Sequence, residues 1–378
     1  MLRKKIFICA DYFIPGFKAG GPIQSLLNII EILAKNFDVF VLTRNHDWGD
    51  DEAYNYTTNQ WHKMKNCSIC YVTDVEIKYS YLASKIKEIN PHFVYLNSLY
   101  SPISQAAIRF LLLNKLNIKY VLAPRGELSS EAINIKKYVK IPYIKFLKFL
   151  GISKKITWHV TSTKEQQDVK NYFGNKSHTI LMSNIPKQSQ ENWVPRQKIK
   201  GEVKIVLVGR IDKMKNIDFL LNLMTTIKEG NVQIDIIGNA KEESYKQHCS
   251  SLASQLPENI KVNFIGALSP TLIKKQITNY HFFVSPTLGE NFGHAIFEAL
   301  IAGVPVLISD RTPWIDLFEK KAGWVFSLEN SSLWNNQLQD CIKMDEMEYN
   351  LYSKSAWVYA KKYNQEANYR IQLNKIFS

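Results

Sequence analysis

The sequence contains no apolar run near the ~18 residues that a membrane-spanning helix requires. The apolar stretch close to its start, Ile6–Ala10, is too short for the core of a secretion signal, and Asp11 follows at once. It reads as a first buried strand, and the protein is expected in the cytoplasm. Cysteine is scarce, with five among 378 residues. Cys9, Cys67, Cys70, Cys249 and Cys341 make no disulfide framework, and the lone CxxC at Cys67–Cys70 lacks the second ligand pair of a zinc site. Plain reduced thiols are expected. No Asp-x-Asp pair stands at the end of a candidate strand, so no catalytic metal is implied, and neither a metal site nor a cofactor is expected. Repeats and low-complexity tracts are absent, which removes repeat architectures. Acidic residues are outnumbered: 34 Asp and Glu stand against 48 Lys and Arg, a formal net charge of +14. With a pI of about 9.3, that balance suits an anionic partner such as nucleic acid, a membrane surface or a phosphorylated substrate. A lysine-rich solvated surface would give the same numbers.

What is present is a regular alternation. A chain of 378 residues is too long for one ordinary core, so two domains are expected. Short apolar runs alternate with helical patterns, the signature of βαβ units and parallel sheets. In the first half the candidate strands are Lys5–Ala10, Val39–Thr43, Ile69–Thr73, Phe93–Asn97, Tyr120–Ala123, Thr157–Thr161 and Thr179–Met182. The polar stretch Pro186–Gly201 has no periodicity and reads as a linker. Alternation then restarts with strands Lys204–Val208, Gln233–Ile237, Val262–Ile265, Phe282–Ser285 and Val306–Ser309. The expected division is a domain over residues 1–185, a linker over 186–201, a second domain over 202–345 and a helical tail over 346–378, with Trp357, Tyr359, Tyr363 and Ile371 available to pack. Doubly wound domains bind ligands outside the carboxyl ends of their strands.

Two segments of the second half carry chemistry. Val208-Gly209-Arg210 ends a strand and Lys215-Asn216 begins the next helix. Two cations beside exposed amides suit a pyrophosphate, although surface Arg and Lys are common. The segment Ser285–Trp314 holds Glu290 and Glu298 with seven residues between them. Asn291, Phe292, Gly293 and His294 lie at the predicted helix start, where amides and the helix dipole favour an anion. Glu298, one to two turns in, is placed to accept ribose hydroxyls, and Glu290 would lie nearer a sugar. Eight helical positions span roughly 12 Å, more than the ~5–9.5 Å between the carboxylates of glycoside hydrolases, so hydrolysis is disfavoured.

The second half resembles the retaining glycosyltransferases of family 4, often called group 1. The resemblance rests on GR-x4-KN at Gly209–Asn216, IIG at Ile236–Gly238, FIG at Phe264–Gly266, E-x7-E at Glu290–Glu298 and the following ALIAGVPVLISDRTPW. It implies a GT-B fold: α/β, two doubly wound Rossmann-like domains facing across a cleft, with the C-terminal helix packing back toward the N-terminal domain. It further implies that Arg210 and Lys215 bind the donor diphosphate, that Glu298 binds ribose, and that Glu290 with Asn291–His294 contacts the sugar and β-phosphate. Glu290, Arg210 and Lys215 are the expected catalytic residues. In the first half, Gly20-Gly21 before the first helix resembles the family's loop near donor phosphates and acceptor, Gly21 on the donor side and Gly20 on the acceptor side. The APRGEL segment Ala123–Leu128 resembles that of members building surface polysaccharides, which makes Arg125 and Glu127 acceptor-side candidates. One departure stands out: where many members carry a histidine after the fourth strand, this chain has Asn97. Asn97 is therefore a substitute hydrogen-bonding candidate. His46, His159 and His294 are weighted as ordinary polar surface residues.

Residues 136–155 mix Lys136, Lys137, Lys140, Lys145, Lys148, Lys154 and Lys155 with Tyr138, Tyr143, Phe146 and Phe149. Such a mixture suits an anionic membrane interface. The expectation is thus a cytoplasmic glycosyltransferase, peripheral at the inner membrane face. It would move a sugar from a nucleoside-diphosphate sugar to a hydroxyl of a lipid-linked glycan in surface polysaccharide (O-antigen or capsule) biosynthesis, without nucleic acid as a partner. The alternatives are a sugar-nucleotide epimerase of the same architecture, a basic nucleic-acid-binding protein and a silent donor-binding subunit.

Overall fold

The computed structural model describes residues 3–186, 192–240, 242–366 and 368–378. It forms two compact units, Met1–Ile185 with Asn368–Ser378, and Pro186–Ala367.

Runs rich in Val, Ile and Phe with no polar alternation can only be buried on both faces, which a parallel sheet covered by helices provides. The first unit holds β1 (Lys4–Cys9), β2 (Phe37–Arg44), β3 (Trp61–Lys63), β4 (Ser68–Val72), β5 (Phe93–Leu96), β6 (Lys119–Leu122), β7 (Ile156–Val160) and β8 (Thr179–Leu181). They form one sheet in the order β3-β4-β2-β1-β5-β6-β7-β8. Its pairings are parallel except for β3 with β4. Ile6, Phe7, Ile8 and Cys9 of the central β1 are fully buried. The strand order reverses between β1 and β5, the topological switch point of this sheet.

The second unit holds β9 (Glu202–Val208), β10 (Asn231–Ile237), β11 (Ile260–Gly266), β12 (Phe282–Ser285), β13 (Val306–Ser309) and β14 (Gly323–Phe326), ordered β11-β10-β9-β12-β13-β14. All of these pairings are parallel. Its switch point lies between β9 and β12. The α/β fold of two Rossmann-like units is as the resemblance implied.

Several elements lack a sequence signal. β3 is a three-residue antiparallel edge strand, too short to show a period, and its Trp61 packs edge-on to Phe40 at 5.3 Å. β14, with only four residues, and the helix Ser331–Lys343, mixed in polarity, hide Trp324 and Trp334 in the core. The stretch read as a linker is not free where it is described. Trp193 Nε1 donates to Ser353 Oγ at 2.9 Å. Lys198 Nζ donates to the carbonyls of Ile199, Ile342 and Met344. Residues 187–191 lie outside the described residues. The tail also divides. The helix Glu346–Glu366 belongs to the second unit, and Tyr369–Ile376 to the first. There Phe377 meets Phe93 at 5.5 Å and Tyr95 at 5.9 Å. Ile371 is 52% exposed and does not pack; Tyr369, Leu373 and Ile376 do.

Candidate active site

In the second unit, both predicted loops leave the carboxyl ends of β9 and β12, the two strands that flank the switch point. Gly209 follows β9, and a Cβ there would stand 2.8 Å from Lys215 Cε, so a larger residue would push the lysine stem aside. Asp212, which the sequence reading missed, is buried. Its carboxylate accepts from the Lys215 amide at 3.3 Å and lies 3.7 Å from Arg210 Nε. It thus folds the turn that carries both cations. Thr287 Oγ1 and the Leu288 amide both donate to the Met214 carbonyl, at 2.9 and 2.8 Å, which fastens the second loop to the first.

The result is direct contact between two predicted residues: Lys215 Nζ pairs with Glu290 Oε1. Neither side chain is sealed off, at 20% and 18% exposure. The sequence reading gave these groups separate roles, phosphate and sugar; the structure makes them one ion pair. The helix His294–Ile301 starts beside them, with Gly293 at φ +78° in the left-handed region that favours glycine. Phe292, just before it, is held from behind: its carbonyl accepts from Trp314 Nε1 at 2.5 Å and its ring lies 5.1 Å from the Trp314 ring. Asn291 and His294 are half-buried, and Glu298 is half-buried between the core residues Phe297 and Ala299. The Lys215–Glu290 pair, a second cation at Arg210 and a helix start compose a surface that suits an anion with a polar neighbour.

In the first unit, the loops after β1, β5 and β6 carry the other candidates. Gly20 caps the helix Gly21–Leu33 at φ +73°, while Gly21 is its first residue. Arg125 fans out over three acceptors. Nε donates to Asn97 Oδ1 at 2.9 Å, Nη1 to Asn184 Oδ1 at 2.5 Å, and Nη2 to Tyr95 Oη at 2.8 Å. Tyr95 Oη is in turn 2.9 Å from His159 Nδ1, and His159 Nε2 is 3.1 Å from the Met182 carbonyl. His159 is fully buried, not on the surface as its sequence weighting supposed. Burial, then the Arg125 charge, drives its pKa down to about 3. Glu127 accepts from Ser98 Oγ and the Leu99 amide, both at 2.7 Å. It shapes the loop that follows β5, and burial raises its pKa. Asp11, also missed, sits after β1 and takes a 2.6 Å hydrogen bond from Ser101 Oγ; burial raises its pKa too. A single acid after an apolar run gave no signal in the sequence. His46 lies beside Asp74 at 3.2 Å.

The basic, aromatic stretch forms the helix Lys137–Phe149. Ile144 and Leu147 face inward, whereas Tyr138 is 94% and Phe149 86% exposed, and Val139 and Phe146 also face solvent. Among the described residues no helix is long and apolar enough to cross a membrane.

Residues 189–356 match the family model described as glycosyl transferases group 1. Two curated relatives are similar over part of the chain. An uncharacterized glycosyltransferase of Methanocaldococcus jannaschii is 29% identical over 135 residues, 35% of this chain and 34% of that protein. An uncharacterized 41.2 kDa protein in the cps region of Klebsiella pneumoniae is 24% identical over 232 residues, 55% of this chain and 57% of that protein. The chain thus spans between a third and three-fifths of the length of these relatives. Solved structures match end to end. Sucrose-phosphate synthase of Thermosynechococcus elongatus has a TM-score of 0.73 at 15% identity, covering 99% of this chain and 98% of that one. Anabaena HepE, solved with UDP and glucose, has a TM-score of 0.70 at 14% identity, covering 99% and 98%. WaaG, a glycosyltransferase involved in lipopolysaccharide biosynthesis, has a TM-score of 0.68 at 14% identity, covering 99% of each chain. The fold is that of GT-B proteins, and the similarity to the glycosyl transferases group 1 family lies in the second unit.

Proposed function

We propose that this protein is a retaining glycosyltransferase that moves a sugar from a nucleoside-diphosphate sugar to a hydroxyl of a lipid-linked glycan. The observation that carries the reading is the Lys215–Glu290 pair beside the Gly293 helix start, at the carboxyl ends of the two central strands of the second sheet. Lys215, Arg210 and the amides of Asn291–His294 would hold the diphosphate, Glu298 the ribose, and Glu290 the sugar. In the step itself the bond between the anomeric carbon and the phosphate oxygen breaks and a bond to the acceptor oxygen forms. The acceptor proton passes to the departing phosphate oxygen. The cations and helix start stabilise the charge that develops there. Glu290 keeps Lys215 extended and partly neutralised until a phosphate competes for it.

Gly20, Asn97, Arg125 and Glu127 would serve the acceptor on the first unit. The outward Tyr138, Phe146 and Phe149, with Lys137, Lys145 and Lys148 on the same helix, suit the interface of an anionic bilayer, where a lipid-linked acceptor would be met. The cps-region relative and WaaG support a role in surface polysaccharide synthesis. HepE supports a uridine diphosphate sugar as the first donor to try.

The test is incubation of the purified protein with UDP-glucose, UDP-galactose and UDP-N-acetylglucosamine, with and without bacterial lipid-linked glycans. Transfer that depends on the lipid acceptor is the expected outcome. Conversion of the donor without acceptor would point to an epimerase, and salt-sensitive DNA or RNA binding without either would overturn the reading.

A further inference from the structure

The hydrogen-bond network around Arg125 fixes the direction of every proton in it. The Met182 carbonyl can only accept, so His159 Nε2 must carry its hydrogen. A neutral imidazole has one N–H, so Nδ1 is a lone pair and Tyr95 Oη must donate to it. Tyr95 then has its own oxygen free to accept from Arg125 Nη2. The alternative, an imidazolium, would set a second buried cation beside the guanidinium and leave the tyrosine hydrogen without an acceptor. Asn184 is 4% exposed and gives its Oδ1 to Nη1. The guanidinium is therefore held in one plane by three acceptors.

The consequence falls on Asn97, which is 8% exposed. Its Oδ1 takes Arg125 Nε at 2.9 Å. Turning the amide over would press its two N–H bonds against a guanidinium N–H, so this orientation is enforced. Asn97 Nδ2 has no acceptor among the described residues, and it is not among the unpaired atoms sealed from solvent, as Ser104 Oγ and Tyr100 Oη are. Asn97 also stands directly after β5, with its amide donating to Cys9 at the end of β1, so it sits at the switch point of the first sheet.

We propose that Arg125 is a positioning residue that makes Asn97 a donor-only contact, offering Nδ2–H to an oxygen lone pair of a bound sugar hydroxyl or ring ether. A histidine in this place could donate, accept or titrate; Asn97, its Oδ1 taken by Arg125, offers a ligand only a donor. The choice of a sugar as the ligand rests on the function proposed above, but the network and the free N–H do not.

Two readouts test this separately from donor binding. In protein carrying 15N-histidine, His159 at neutral pH should show the neutral Nε2–H tautomer, with Nδ1 unprotonated. An Nδ1–H tautomer or an imidazolium would overturn the network. In 15N-asparagine protein, the Asn97 side-chain amide should shift on titration with octyl glucoside, galactoside or mannoside below micelle formation. Asn97→Asp, which keeps the shape and loses both hydrogens, should weaken that binding about 10- to 100-fold. Arg125→Lys should weaken it comparably, with the Asn97 amide signal moved in the free protein; a merely structural Arg125 would lower the melting temperature and leave glycoside affinity unchanged. Failure of all three glycosides to move the Asn97 signal, or full affinity in Asn97→Asp, would overturn the assignment. Failure of the glycosyltransferase reading would appear elsewhere, as no response to nucleotide sugars.

Discussion

Replacing Lys215 by alanine should remove most of the catalytic power without unfolding the second unit. Lys215 and Glu290 are about four-fifths covered by neighbours. At an effective dielectric near 20, two unit charges ~4 Å apart interact by about 4 kcal/mol. That figure bounds what the lysine can contribute to a phosphate oxygen in the same place. Loss of one group that meets developing charge costs ~3–4 kcal/mol in comparable sites, or about 10²–10³ in kcat. Lys215→Ala should fall in that range and be worse than simple loss of a cation, because Glu290 would then face the diphosphate uncompensated. Adding Glu290→Gln to it should restore about tenfold, a coupling of ~1–2 kcal/mol. The assay is UDP release at saturating lipid-linked acceptor, with donor concentration varied and folding checked by circular dichroism. Turnover of Lys215→Ala within threefold of the unaltered protein would refute the reasoning, as would strictly additive effects of the two substitutions.

Gly293→Val should cut donor affinity at least tenfold by calorimetry, because a Cβ at φ +78° is strained and would stand 2.8 Å from Ile296 Cδ1. The unfolded chain protonates His159 near pH 6.5 and the folded chain only near about 3, so stability present above pH 6.5 should be lost on acidification at about 1.4 kcal/mol per pH unit. His281, held down to about 4 mainly by burial, adds a second slope. Urea melts from pH 7 to pH 4 should show a shallower loss in His159→Gln. Replacing both Tyr138 and Phe149 by serine should reduce cosedimentation with phosphatidylglycerol vesicles at least tenfold and leave the melting temperature unchanged, since both rings are exposed and each buries on the order of 1.5–3 kcal/mol of apolar surface at a membrane. Glu127→Gln should cost ~1–3 kcal/mol in thermal melts, because the new amide turns an N–H toward either Ser98 Oγ or the Leu99 amide.

The apolar strands were legible from sequence, Phe282–Ser285 and Val306–Ser309 to the residue. Their legibility has one main cause: parallel strands buried on both faces are rich in apolar residues without a polar alternation. β3 escaped because three residues of mixed polarity have no pattern to read, and β14 because it opens on Gly323 and follows a charged stretch, with no flanking apolar run to mark it. The stretch Pro186–Gly201 carries no helix or strand where it is described, but its polarity does not reveal that Lys198 is buried against three carbonyls that only the fold brings together. At the candidate site, residue types and spacing single out Arg210, Lys215, Glu290 and Glu298. They could not disclose that Lys215 and Glu290 pair across 75 positions, nor that Asp212 and Asp11 serve the two loops. Arg125 was flagged for its motif, but its three acceptors come from β5, the loop after it and the end of the first unit. Long-range polar partners carry no local signature.

On the function proposed above, the second unit binds a nucleoside-diphosphate sugar at the loops after β9 and β12. The most direct measurement is the melting temperature of the full chain with UDP-glucose, other nucleotide sugars and UDP, compared with Lys215→Ala. At a hundredfold excess over Kd, binding adds about 2.7 kcal/mol, which should raise the melting transition by several degrees in the unaltered protein and by little or nothing in the variant. No shift with any nucleotide sugar, or an equal shift in Lys215→Ala, would contradict the account.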